Sequence, residues 1–269
     1  LGGTDFVGRW LALKMSPGLG QQVVIDPRPG AGGNLGHEAT AKAPPDGYTL
    51  MLASTPFVLN PILNAKVGYD TSRDFAPIAL VATLPNVLAV HPSVPAKSLR
   101  ELVQLARANP GKLAYGSGTT GSTSHLAGEL LRSLAKINIL LVPYKGATFA
   151  LVGAMSGEVD VVIPAASAVE SYVKASRMRV LAVLDTKRLA SMPDVPTSAE
   201  AGMPQLLIVN WYVLAAPAGT PRAIVERLNA EAAKVMQAPE TRAYFAGIGG
   251  DPVSATPEQT IAFLRAEHE

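Results

Sequence analysis

Residues 114–131, AYGSGTTGSTSHLAGELL, set Gly116, Gly118 and Gly121 in the spacing G-x-G-x-x-G between a short apolar segment and a helix-like run. A strand, a glycine loop and a helix in that order are a building block of α/β folds, and the spacing is that of a dinucleotide fingerprint. A dinucleotide site also needs an acidic residue at the end of the next strand to take the ribose hydroxyls. Here the next strand-like run ends LVPYKG (141–146), and no Asp or Glu lies between Glu129 and Glu158. No nucleotide cofactor is therefore expected. The loop instead gathers Ser117, Thr119, Thr120, Ser122 and Ser124 at the start of a helix, where free N–H groups, the helix dipole and hydroxyl donors favour a carboxylate or phosphate. A plain polar turn with Ser or Thr capping the helix accounts for the same residues.

Outward from this loop, apolar runs alternate with helix-period segments: QVVID, YTLML, PIALVAT, NVLAV, KLAYG, NILLV, VDVVI, RVLAVL and WYVLAA. Such alternation predicts an α/β fold with mainly parallel strands buried on both faces. In SLRELVQLARANPG, Ser98 is placed to cap a helix that Asn109-Pro110-Gly111 ends. A weak internal repeat adds organisation. Residues 24–55 (VIDPRPGAGG…PPDGYTLMLAST) share a layout with residues 141–167 (LVPYKGATFA…GEVDVVIPAAS), and each follows a glycine-rich loop entering a helix. Residues 86–110 and 211–239 also resemble each other, each a strand, a Pro-marked turn and a long amphipathic helix. Two lobes follow, residues 1–98 with 222–269 as lobe I and 99–221 as lobe II, joined by two crossover strands at a hinge that leaves a ligand cleft. The polar loops of both lobes are expected to face that cleft.

Charged residues are 16% of the chain and AVILMFWYC 48%, which predicts a globular protein rather than a disordered one. No apolar run reaches the length of a membrane span. A formal net charge of +2, without a basic stripe, argues against nucleic acid as a partner. The absence of cysteine excludes disulfides and thiolate catalysis and is compatible with an oxidising compartment. The chain opens on LGGTD, a turn of the kind that follows a strand, so a strand and any export signal are expected upstream of Leu1.

Other chemical signatures fail. GHEATAK departs from H-E-x-x-H at Ala41, which leaves His37 and Glu38 as surface residues of a helix, and YGSGT departs from G-x-S-x-G at Tyr115. The histidines are scattered without ligand spacing, so no metal is expected. Lys145 is the one cation beside a candidate ligand loop. Trp211 and Tyr212 precede the return crossing, suited either to stacking on a ligand or to packing at the hinge. No activated nucleophile or carboxylate pair emerges, so no catalysis is expected; a cleft enzyme on the same fold is the competing reading.

GGTDFVGRW, RPGAGGNLG, PPDGYTLMLAS, YGSGTTGSTSHLAGELL, VPYKGATFAL, GEVDVVI, RVLAVLDTKRLASMPDVPTSAEAG and WYVLAAPAGTP stand in the order seen in the Bug family, the extracytoplasmic solute receptors of tripartite tricarboxylate transporters. The resemblance covers essentially the whole chain. It implies a two-lobed, periplasmic-binding-protein-like fold, each lobe a mainly parallel sheet flanked by helices. It further implies a monomeric periplasmic receptor that binds a small carboxylate and delivers it to a membrane permease, or a sensor that signals through a partner. Carried over, the binding residues are Gly3, Thr4 and Asp5 in the first loop and Ser54 and Thr55 at a strand end. In lobe II they are Ser117, Gly118, Thr119, Thr120, Gly121 and Ser122, then Gly146 and Ala147, then Ala165 and Ala166; the neighbouring cation Lys145 joins them as a candidate from its position alone. The family's strand and proline-rich turn before the first glycine loop have no counterpart here, which bears on residues 1–6.

Overall fold

The computed structural model describes residues 3–28, 30–63, 66–118 and 122–268. Its elements follow the alternation of apolar runs: α1 (Gly3–Leu19), α2 (Asn34–Ala41), β1 (Met51–Ala53), α3 (Pro56–Leu63), β2 (Phe75–Pro85), β3 (Val87–Val90), α4 (Leu99–Ala108), β4 (Ala114–Ser117), α5 (Thr123–Ala135), β5 (Leu140–Pro143), α6 (Ala147–Met155), β6 (Val161–Val162), α7 (Ala166–Lys174), β7 (Arg179–Val183), β8 (Val209–Pro217), α8 (Arg222–Gln237), α9 (Pro239–Gly247), β9 (Asp251–Pro252) and α10 (Pro257–His268). They form two compact units: Leu1–Thr83, Trp211–Phe245 and Asp251–Glu269 make the first, Leu84–Asn210 and Ala246–Gly250 the second. These divisions differ from the sequence boundaries at 99 and 222, and a short second segment, Ala246–Gly250, also belongs to unit 2.

In unit 2 a five-stranded sheet has the order β5-β4-β6-β3-β7. The β4–β5 and β4–β6 pairs are parallel, while β3 runs antiparallel to both β6 and β7. Neighbouring residues of β3 serve opposite faces: Leu88 and Val90 join a core with Tyr115, Leu131 and Leu181, and Val87 and Ala89 one with Leu151, Val162 and Val183. Burial on both sides is why NVLAV and VDVVI read as unbroken apolar runs. Ser98 caps α4 as its sequence requires, its hydroxyl accepting from the Glu101 N–H at 3.1 Å.

Unit 1 holds a four-stranded sheet of order β1-β8-β2-β9, with β1–β8 and β2–β9 antiparallel. The expectation of mainly parallel sheets therefore holds only for the β5-β4-β6 half of unit 2. Strand β3 follows the passage of the chain into unit 2 after Thr83 and β8 spans the return at Trp211, so neither belongs to a strand–helix–strand repeat.

QVVID forms no strand. Val23 gives its N–H to the Ser16 hydroxyl (2.9 Å) instead of a sheet partner, Val24 is 77% exposed, and Ile25 packs towards Gly8 of α1.

Candidate functional site

The parallel half of the unit 2 sheet runs into three successive helix starts: β4 leads through Gly118 to α5, β5 through Tyr144–Gly146 to α6, and β6 through Pro164 and Ala165 to α7. The C-terminal end of parallel strands is where open α/β sheets bind ligands, because N–H groups and helix dipoles collect there.

Gly118 joins two of these starts. Its N–H donates to Ser124 Oγ (2.8 Å), and Ser122 Oγ accepts from the His125 N–H (3.3 Å) as the cap of α5. A side chain on Gly118 would begin 2.9 Å from Ser122 Oγ and 3.3 Å from the Ala147 N of α6. Gly116 is hemmed in as well, with a Cβ there 2.8 Å from Val159 and 3.4 Å from Tyr144. Packing of β4 against its neighbours thus accounts for the first two glycines of G-x-G-x-x-G without any nucleotide. Thr119, Thr120 and Gly121 lie outside the described residues.

Ser117 is fully buried, and its hydroxyl donates to the Gly118 carbonyl (3.0 Å). The Ser117 side chain therefore shapes the loop, while Ser122, half-buried, carries its hydroxyl at the helix start. Helices α6 and α7 receive no side-chain cap, Gly146 and Ala165 occupying the cap positions. Lys145 is exposed, Gly146 and Ala165 are half-buried, Ala147 is exposed and Ala166 is buried. Sequence inspection gives no sign that residues 246–250 belong here. Gly249, at φ +66, sits where a side chain would begin 3.6 Å from the Ser167 N in the first turn of α7. Its contact is with a backbone distant in sequence, which leaves no motif.

In unit 1, Gly3, Thr4 and Asp5 form the first turn of α1 and not a loop ahead of it. Asp5 is taken by Arg9 across one helical turn (2.9 Å). Ser54 and Thr55 follow β1, and their carbonyls accept from Phe57 and Val58 at the start of α3. Thr55 Oγ1 is buried with no hydrogen-bond partner among the described residues. Tyr212 links these segments. The Ala53↔Val213 register brings Ser54 level with Tyr212, and a Cβ on Gly3 would fall 2.0 Å from the Tyr212 hydroxyl. Burial pushes that hydroxyl's pKa up to about 12, so it stays a neutral donor. Trp211 is core instead, its Nε1–H donating to Glu267 at 2.6 Å.

His37 corrects its assignment to the surface. It is 7% exposed, set edge-on to Phe57 and Tyr69, with Nδ1 3.2 Å from the Tyr69 hydroxyl. Desolvation lowers its pKa to about 4. Among the described residues no three metal-ligating side chains cluster, and no helix is long and apolar enough to cross a membrane.

The architecture is that of periplasmic-binding-protein-like chains. A structure described as a periplasmic transporter superposes with a TM-score of 0.91 at 34% identity, covering 99% of this chain and 90% of the other. An R. palustris protein with adipate superposes equally well, at 35% identity over 99% and 90%. MatC from Rhodopseudomonas palustris with bound malate gives a TM-score of 0.87 at 29% identity over 99% and 92%. Residues 7–269 match the model of the tripartite tricarboxylate transporter family receptor, and the chain belongs to that family. Relatives include a UPF0065 protein of the tcbD-tcbE intergenic region of a Pseudomonas species, 39% identical over all of this chain and 80% of its own length. Protein BugT of Bordetella pertussis is 37% identical over 99% of this chain and 82% of its own.

Proposed function

We propose that this protein is a periplasmic receptor, not an enzyme, that captures a small carboxylate and delivers it to a tripartite tricarboxylate transporter permease. The observation that carries this reading is the convergence of the α5, α6 and α7 starts at the end of three parallel strands, two of them without a side-chain cap. Amide donors so placed bind an anion without a buried cation. In unit 2 the proposed contacts are the backbone from Gly118 to Ser122, the Ser122 hydroxyl, and Lys145, Gly146, Ala147, Ala165 and Ala166. Unit 1 contributes Gly3 and Thr4 of α1 with Ser54 and Thr55, while Asp5 orders the first turn through Arg9. Adipate and malate in structurally similar proteins support a carboxylate.

The test is thermal stabilisation across mono- and dicarboxylates. A ligand that binds only the folded state adds about 2.7 kcal/mol at a hundredfold excess over Kd, several degrees in a protein of this size. At least one carboxylate is expected to reach that, with none from NAD. Gly146→Val should abolish the effect and keep the fold, because Gly146 is extended and a Cβ there meets only Phe149, at 3.9 Å. Stabilisation by NAD with no carboxylate active overturns the reading.

A further inference from the structure

Two helix starts named above share a local pattern that their sequences do not otherwise repeat. Gly3 is followed three residues on by Phe6 in the first turn of α1, and Gly146 by Phe149 in the first turn of α6. Both rings face solvent: Phe6 is 50% exposed and Phe149 60%. Val152, one turn beyond Phe149, is 53% exposed, so α6 carries a short apolar face beside its own start. Burying a phenylalanine in full stabilises a fold, and neither unit collects that contribution completely.

Isolated exposed apolar residues are ordinary on protein surfaces. What distinguishes Phe149 is its position. Its Cδ2 lies 3.9 Å from where a side chain on Gly146 would begin, so the ring edge borders the N–H groups at the uncapped start of α6. Neutral amide donors and an apolar wall stand side by side. This combination suits a molecule with a carboxylate at one end and hydrocarbon next to it. A hydroxylated body would set its hydroxyls against Phe149 and Val152 and lose hydrogen bonds to water.

We infer that Phe149 packs against the part of the ligand next to its carboxylate and restricts unit 2 to acids with an apolar body. The inference rests on the carboxylate-receptor reading and adds the ligand class to it.

Calorimetry with pairs matched in carbon skeleton tests it: succinate with tartrate, adipate with galactarate, and cyclohexanecarboxylate with quinate. In at least one pair the apolar acid should bind roughly tenfold or more tightly than its hydroxylated partner, the scale of discrimination by an apolar pocket. Phe149→Ser should bring that ratio towards one with only a small change in melting temperature, since the ring is 60% exposed. Leu13→Ser, at a 64% exposed position further along α1, should leave it intact. Tighter binding of the hydroxylated acids, or a ratio unmoved by Phe149→Ser, overturns the inference while the receptor reading stands. Binding of none of the six acids removes the receptor reading, and the inference with it.

Discussion

His37 shows how far a single residue's surroundings outrun its local sequence. In GHEATAK it follows a glycine and precedes a charge, which reads as helix surface, yet Phe57 and Tyr69 arrive from residues well downstream and enclose it. Its folded pKa of about 4 lies below the ordinary 6.5, so between those values the unfolded chain takes up a proton that the folded one refuses. Stability is then full above the unfolded value and declines as pH falls from 6.5 towards about 4, by an amount on the order of 3 kcal/mol. Urea melts compared at about pH 7 and about pH 4.5 should show that His37→Gln flattens this slope; an identical pH response in the variant would assign the loss to other groups. Gly128 gives a second case, since a Cβ there would sit 2.3 Å from the ring of the fully buried Tyr115. Gly128→Ala should cost about 1–3 kcal/mol through overpacking, read as a lowered melting temperature, although helix propensity alone favours Ala.

At the scale of elements, helix starts divide into those closed by their own side chains and those left open. Ser98 on α4 and Ser122 on α5 are caps of the same type, each accepting from the N–H three residues on. Replacing either with Ala should cost about 0.5–2 kcal/mol. Only Ser122→Ala should also weaken carboxylate binding, because α4 starts elsewhere in unit 2; equal affinities for the two variants would remove the Ser122 hydroxyl from the site. The S-x-x-E pattern made the α4 cap legible, since a cap depends on residues within one turn. The open starts of α6 and α7 were less legible, because an uncapped terminus is defined by missing partners. QVVID failed for a related reason: a strand needs a neighbour to accept its N–H groups, and periodicity does not say whether one is there.

At the scale of the whole molecule, the passages between units matter most. Asn86, 3% exposed, stands between β2 and β3, where its side-chain amide donates to the Ile208 carbonyl (3.1 Å) and its Oδ1 accepts from Asn210 (3.1 Å). The side chain thus ties the outgoing segment to the returning one, within unit 2. Asn86→Ala should leave the Asn210 amide without this partner and the Ile208 carbonyl with only the Asn86 backbone N–H (3.2 Å), at about 1–3 kcal/mol. Limited proteolysis should then cut faster near residues 84–86 and 208–210, and an unchanged cleavage pattern would mean that the backbone pairing at this joint suffices.

By itself the sequence determined the existence of two units and, apart from QVVID and the start of α1, the order of elements, because these depend on hydrophobic period, on glycine and on caps, all local properties. The missing acidic residue that argues against a dinucleotide is likewise visible without coordinates. The tertiary structure alone decided that the sheets are mixed, that Ser117 points inward, that Tyr212 meets Gly3, that His37 is buried, and that residues 246–250 belong with α7. Most of these depend on which other segment packs against a given side chain, and a contact between segments separated by tens of residues or more leaves no period in the chain that makes it.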